Sequence, residues 1–269
     1  MSQPALINLG CGHRYHAAWT NVDLHPAGPG VIRMDIGQPL PFADGAFDAV
    51  YHSNVLEHIR RSQVGAFMAE CARICRRGGI LRIAVPDLEV ICRLYLEKLA
   101  GCLRGDAQAK AEYDWLLLEL LDQMVREVSG GEMGAYLKRE PLPAESFVFT
   151  RIGNEGREFV AHQRRLKAAA AAKKPRMVKA VLRSIAAVFR RKPSPAERVG
   201  AFRLAGEVHQ WMYDRYSLGR LLEENGFLNA RVVTPWESDI SSWQDYHLEV
   251  AVDGSVNKPD SLVMEATKA

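Results

Sequence analysis

The chain has 269 residues, 48% hydrophobic and 25% charged, with a formal net charge of +3. This is ordinary globular composition, enough for one large domain or for a domain with a sizeable insertion. No run approaches the roughly 18 to 20 apolar residues of a membrane-spanning helix, and Met1-Ser-Gln-Pro4 lacks the charged and apolar regions of a signal peptide, so a cytoplasmic protein is expected.

The first element, over residues 5–9, is a short apolar run that stops abruptly at Gly10-Cys11-Gly12. It reads as a buried strand ending in a turn whose backbone is open to a ligand, because glycine reaches unusual φ values and carries no Cβ. Such a run opens a doubly wound α/β sheet, in which ligands bind outside the carboxyl ends of the strands. Residues 20–24, 30–34 and 47–51 follow as short strands bounded by Gly, Pro or Asp. Ser62 is placed to cap a helix through 76, with Val64, Phe67, Met68, Cys71, Ile74 and Cys75 as its apolar stripe and Gly78 in the left-handed C-terminal position. A fifth strand is expected over 80–85.

After Asp87 the alternation of strands and helices fails. It resumes at Ser217, placed to cap a helix over 218–225 that Gly226 ends, and strands over 228–234 and 261–267 close the chain. The predicted organisation is a core of 1–94 and 206–269 interrupted by a helical insertion, 95–205. Within the insertion, 110–128 reads as an amphipathic helix ended by Gly130-Gly131, and 176–192 as a basic amphipathic helix closed off by Pro193 and Pro195.

Charge is uneven. Arg157 to Arg203 holds fourteen Lys or Arg against two acids, a surplus of +12 that leaves −9 on the rest. The segment is either a solvated helical lid or, through 176–192, a peripheral contact with an anionic membrane surface such as the inner membrane. Nucleic acid ranks lower, because the segment lacks regularly interleaved aromatic residues and no RNA-binding module is visible. The five cysteines, at 11, 71, 75, 92 and 102, read as reduced thiols, and with no Cys-x-x-Cys pair or neighbouring His cluster no metal is expected.

Five stretches at fixed distances carry a resemblance. They are Leu9-Gly-Cys-Gly12, Asn21-Val-Asp23, Met34-Asp-Ile36, Leu40-Pro-Phe-Ala-Asp-Gly-Ala-Phe-Asp48 and Asn54-Val-Leu-Glu-His58, followed by Arg77-Gly-Gly with Val85-Pro-Asp87. Together they resemble the class I S-adenosylmethionine-dependent methyltransferases, the type 11 group among them, over residues 5 to about 90. The resemblance implies a seven-stranded, mostly parallel Rossmann-like sheet whose last strand is antiparallel, and S-adenosylmethionine as cofactor. It implies that main-chain groups of Gly10, Cys11 and Gly12 receive the amino-acid tail and that Asp23 accepts the ribose hydroxyls. Asp35 and Ile36 would meet the adenine, and Asn54 and Val55 would line the remaining side. With His209-Gln-Trp-Met-Tyr213, the motifs are also similar to those of a bacterial subgroup associated with surface-polysaccharide synthesis, which implies a small-molecule or saccharide hydroxyl as acceptor.

Two positions depart from the family's pattern: Asn8 stands where an acid is common, and Arg14 where a third glycine is. Only thirteen residues separate Gly10 from Asp23, so the first helix must be short or replaced by a loop. The candidate general bases are His209, His58 and Asp87, with His52 also beside the end of the fourth strand, because an imidazole titrates near neutrality. Asp44-Gly45 reads as a turn, and Asp48 as a residue that steadies the fourth strand. Two other readings stand beside this one. One is a nucleotide-sugar or nicotinamide-dependent oxidoreductase, against which the chain has no Tyr-x-x-x-Lys pair or full glycine fingerprint; the other is a cofactor-binding regulatory or scaffold protein without turnover.

Overall fold

The computed structural model describes residues 4–172 and 193–269. Seven strands form one sheet: β1 (Leu6–Leu9), β2 (Thr20–Asp23), β3 (Val31–Arg33), β4 (Phe47–Ser53), β5 (Cys75–Pro86), β6 (Phe227–Val232) and β7 (Ser261–Lys268). Their order is β3-β2-β1-β4-β5-β7-β6; the first five run parallel, and β7 is antiparallel to both β5 and β6. This is the doubly wound, Rossmann-like methyltransferase sheet that the motifs imply.

Central strands of such a sheet are covered on both faces, and their sequences show it. Ile7, Leu9, Val22, Val50, Leu81, Ile83 and Val85 point to one face and pack with Val64, Phe67, Met68 and Cys71 of α1 (Arg61–Ile74) and Leu218 and Leu222 of α8 (Arg215–Glu224). On the other face Leu6, Ala49 and Tyr51 meet Trp19, Ile240, Trp243 and Leu248. Three of those four come from the connection between β6 and β7, residues 233–260, so a loop does the covering that a helix usually does.

No helix separates β1 from β2. Residues 10–19 are a loop, tied down by Asn21, whose Nδ2 donates to the carbonyls of His16 (2.9 Å) and Trp19 (2.8 Å). Two predicted caps move. Arg60, not Ser62, precedes α1 and makes no side-chain cap bond, and Asp214 caps α8 with Ser217 completing the reciprocal box. Gly78 (φ +72°) lies not at a helix end but in β5, where residues 76–79 bulge out of the pairing with β4. The bulge has a partner: Arg76 forms an ion pair with Asp48, which also accepts from the Ala5 N–H at 2.6 Å and so steadies β4.

The boundary expected at residue 95 falls inside a helix, α2 (Leu88–Leu103), which runs straight through it. α3 (Ala107–Leu117) continues through a π turn at Leu118–Asp122 into α4 (Gln123–Val125), so this helical run stops before Gly130 and Gly131, which instead open α5 (Gly131–Leu137). α6 (Glu145–Ala172) is broken at Gly153. α7 (Pro195–Leu204) starts at a capping box on Ser194, so Pro195 opens a helix, its fixed φ suiting the first position. Trp115, Tyr136, Leu137, Leu142, Val148, Ile152 and Val160 give the insertion a small core of its own. The basic helix expected over 176–192 lies outside the described residues. Among the described residues no helix is long and apolar enough to cross a membrane.

Candidate active site

The turn after β1 is set by its glycines. Gly10 (φ +68°) and Gly12 (φ +51°) occupy the left-handed region, and a Cβ on Gly10 would stand 2.5 Å from Cγ2 of Val55. Only glycine lets the chain turn there while Val55 closes over it. The Gly10 and Cys11 N–H groups both donate to the Val22 carbonyl, which docks the turn on β2. The Gly12 N–H donates to Oδ2 of Asp23 at 2.8 Å, and Oδ1 of the same carboxylate accepts from the His25 N–H at 2.7 Å.

Both departures from the family pattern have a physical use. Asn8 is buried and its Nδ2 donates to the Arg14 carbonyl at 3.0 Å, latching the far end of the turn. An acid there has no proton to give. Arg14 reaches across to Glu158 of α6, with Nη2 3.1 and 3.2 Å from the two carboxylate oxygens, and so joins the turn to the insertion. Cys11 stays a thiol, since burial and then the Asp23 charge push it up to about 11.

Two cavities open at the carboxyl ends of the parallel strands. One, of about 900 Å³, is lined by Gly10, Asp23, Asp35, Ile36, Asn54, Val55 and His58, among others. It gathers six of the eight residues expected to hold the cofactor. The other, of about 760 Å³, is lined by Cys11 and Gly12, by Tyr51 and Ser53 of β4, by Glu155, Glu158 and His162 of α6, and by Glu249, Asn257 and Lys258 of the β6–β7 connection. Gly10 and Asn54 line both, so the two cavities meet at the tips of β1 and β4.

The residues present fit an adenosyl cofactor. The first cavity offers two carboxylates on successive strand ends, one of which, Asp35, uses Oδ1 to accept from the Gly37 N–H at 2.9 Å. Asn54, held in a left-handed conformation (φ +53°), has a buried Oδ1 with no partner at the junction. A buried carbonyl oxygen of that kind is costly unless a ligand or water donates to it.

The base candidates are placed less favourably. His52 points into the core edge-on to Phe67, ring centroids 5.3 Å apart, and burial pushes it down to about 3. Asp87 lines neither cavity; it caps α2 by accepting from the Val90 N–H at 3.0 Å, and burial pushes its carboxyl up. His209 is buried and packs edge-to-face on His58 with centroids 4.7 Å apart. Of the three named candidates only His58 faces a cavity. Burial pushes His58 down to about 4 and His209 down to about 2, with the Lys258 charge adding to both and the His58 ring to His209. The rest of the 209–214 cluster is structural: Trp211 carries the Arg61 guanidinium 4.0 Å above its ring, Tyr213 is core and Asp214 is a cap.

The residues of α6 and of the β6–β7 connection on the second cavity carry no signal in the sequence. They belong to irregular or inserted segments and converge only through tertiary packing. Gly153 makes that convergence. Its φ of +54° turns α6 so that the N–H groups of Asn154 and Glu155 donate to the carbonyls of Val256 and Asn257, both at 3.3 Å.

With the geometry in place, comparison with known proteins is informative at the level of the domain. Residues 8–83 match the family described as a methyltransferase domain. No curated protein is a significant match. Among solved structures, the 1,6-didemethyltoxoflavin-N1-methyltransferase of Burkholderia thailandensis, with bound 1,6-didemethyltoxoflavin and S-adenosylhomocysteine, is 20% identical over 32% of this chain and 46% of its own (TM-score 0.27). A Mesorhizobium loti S-adenosylmethionine-dependent methyltransferase is 19% identical over 32% and 50% (TM-score 0.26), so the chain spans about half the length of either. A third, from Archaeoglobus fulgidus, is 10% identical over 98% and 86% (TM-score 0.41). The family match falls on the stretch from β1 to β5 that holds the Gly10–Gly12 turn, Asp23 and Asp35, so the likeness to a methyltransferase domain rests on the same residues as the first cavity.

Proposed function

We propose that the protein transfers a methyl group from S-adenosylmethionine to a hydroxyl of a polyhydroxylated acceptor, a saccharide, held in the cavity beneath the insertion. The observation that carries this reading is the meeting of the two cavities at Gly10 and Asn54. One is equipped for an adenosine, with Asp23 for the ribose hydroxyls and Asp35 with Ile36 for the base. The other is walled by Glu155, Glu158, Glu249, Asn257, Tyr51 and Phe159, a set of acceptors, an amide and aromatic faces suited to hydroxyl groups and sugar rings. On this reading residues 95–205 are the acceptor-side unit, and the basic stretch 176–192 favours a lipid-linked form of the saccharide at an anionic membrane.

When bound, the cofactor supplies an electrophilic methyl group. The chain has to hold an acceptor oxygen in line with it and exclude competing water, and such positioning accounts for several kcal/mol of barrier lowering on its own. The main chain at Gly10 to Gly12 receives the tail and fixes the methyl-bearing end at the junction. Glu155, Glu158 and His162 on the facing wall are the groups that take up the hydroxyl proton, since His209 and Asp87 reach neither cavity.

Calorimetry with S-adenosylmethionine and with NAD, followed by an S-adenosylhomocysteine release assay over a panel of sugars, tests this. Binding of the first nucleoside and release of its demethylated product with a sugar are expected. NAD binding alone would replace the reading with an oxidoreductase, and binding without turnover on any acceptor would leave a scaffold. Flotation with anionic vesicles tests the lipid-linked form separately.

A further inference from the structure

Glu57 is fully buried, and neither of its carboxylate oxygens has a hydrogen-bond partner. Among the described residues the one basic side chain within 4 Å of it is His58, whose Nε2 lies 3.9 Å from Oε1 and outside hydrogen-bonding range. The Nδ1 of His58 is likewise buried and unpartnered. His209 completes the group: one ligand atom from each of Glu57, His58 and His209 lies within 4.8 Å of the others.

The backbone enforces this grouping. Leu56–His58 forms a single tight turn after β4, and the N–H groups of Gln210 and Trp211 donate to the Glu57 carbonyl at 2.6 and 3.3 Å. The segment that follows the insertion is thus sewn to the turn, bringing residues 57 and 209 together. The cations nearby are already engaged: Arg126 pairs with Asp122 (2.6 Å) and Glu207 (3.2 Å), and the Lys258 ammonium sits 3.8 Å from Glu155. Among the described residues no hydrogen bond reaches the Glu57 carboxylate, which feels the Lys258 charge only at longer range.

We propose that Glu57, His58 and His209 bind a first-row divalent cation, with the remaining coordination positions turned toward the cavity that His58 lines. Two imidazoles and one carboxylate suit Zn²⁺, Fe²⁺ or Mn²⁺. Metal–nitrogen bonds of about 2.0 to 2.1 Å require the three ligand atoms to close in by roughly 1 Å as the ion enters. The 900 Å³ cavity beside His58 is the entry path. No sequence pattern announces the set, because its third member arrives from 151 residues away across the insertion.

The test uses the full chain, stripped with EDTA and dialysed, and does not involve methyl transfer, so it stands or falls apart from the proposed activity. Zn²⁺ titrated calorimetrically should bind at one equivalent and raise the unfolding temperature, and Co²⁺ should develop visible absorption bands from imidazole–carboxylate coordination. His209→Gln and Glu57→Gln should each weaken Zn²⁺ at least 100-fold while far-UV circular dichroism stays unchanged. If a variant does not fold, His58→Gln supplies the same comparison. Absence of stoichiometric Zn²⁺ uptake by the stripped protein, or undiminished uptake by His209→Gln, overturns the site and leaves Glu57 a protonated buried acid.

Discussion

Arg82 and Glu249, 167 residues apart, meet in a fully buried fork: Nε donates to Oε1 at 3.0 Å and Nη2 to Oε2 at 2.5 Å. The remaining nitrogen donates to Glu265 on the neighbouring strand at 2.6 Å, and the guanidinium lies 4.2 Å from the centre of the Trp243 ring. The pair fastens the β6–β7 connection across the sheet face and places Glu249 on the wall of the second cavity.

Arg82→Met should therefore cost about 3 to 5 kcal/mol, since two buried carboxylates lose the guanidinium that neutralises them. Chemical denaturation measures it. A loss under 1 kcal/mol would show that the fork is not what fastens the loop.

Gly153→Ala should separate the two cavities functionally. Its Cβ would stand 2.4 Å from Cδ of Pro259 and 2.6 Å from the Val256 carbonyl, at a φ of +54°. The docking of α6 on the β6–β7 connection should fail while the Gly10–Asp23 region stays intact. Affinity for S-adenosylmethionine is expected to change less than threefold and turnover to fall more than tenfold; equal losses in both would argue against two separable cavities.

Asp23→Asn keeps a side chain of the same shape but replaces one acceptor oxygen with a donor, so either the Gly12 or the His25 N–H loses its partner and the charge is gone. A charge-assisted hydrogen bond contributes about 1.5 to 3 kcal/mol, which corresponds to a cofactor bound roughly 10- to 150-fold more weakly in calorimetry. Unchanged affinity would remove Asp23 from the binding site.

His52 makes stability depend on acid. Its imidazole titrates at about 3 in the folded protein because burial excludes the charged form, against an ordinary 6.5 in the unfolded chain. Between those values the unfolded state holds the extra proton, so this residue's contribution is intact above about pH 6.5 and declines as pH falls toward 3. His52→Leu should flatten that part of the stability profile measured by urea unfolding from pH 7 to pH 4. Parallel profiles for the two proteins would refute it.

The strands and the glycine turn after β1 were legible because their signals are local. The Leu6–Leu9 run, the paired glycines and the acids at positions 23 and 35 each declare a strand end, and the sheet places them together. The caps at Arg60 and Asp214 were less so, since Ser62 and Ser217 have the right chemistry two or three residues too late. His209 read as a cleft residue from its polar, aromatic neighbours, yet packing against His58 buries it. The wall of the second cavity could not be read, because Glu155, Glu249 and Lys258 meet only after Gly153 bends α6 and Arg82 pulls in the β6–β7 connection.

The carboxylate of Asp23 grips the Gly12 and His25 N–H groups, and each of its oxygens keeps a second lone pair. These two bonds fix the carboxylate's rotamer in folding, so that entropy would not have to be lost again on binding a nucleoside. A ribose bound there as proposed would meet a preorganised receptor, with selectivity residing in how slowly a good fit departs.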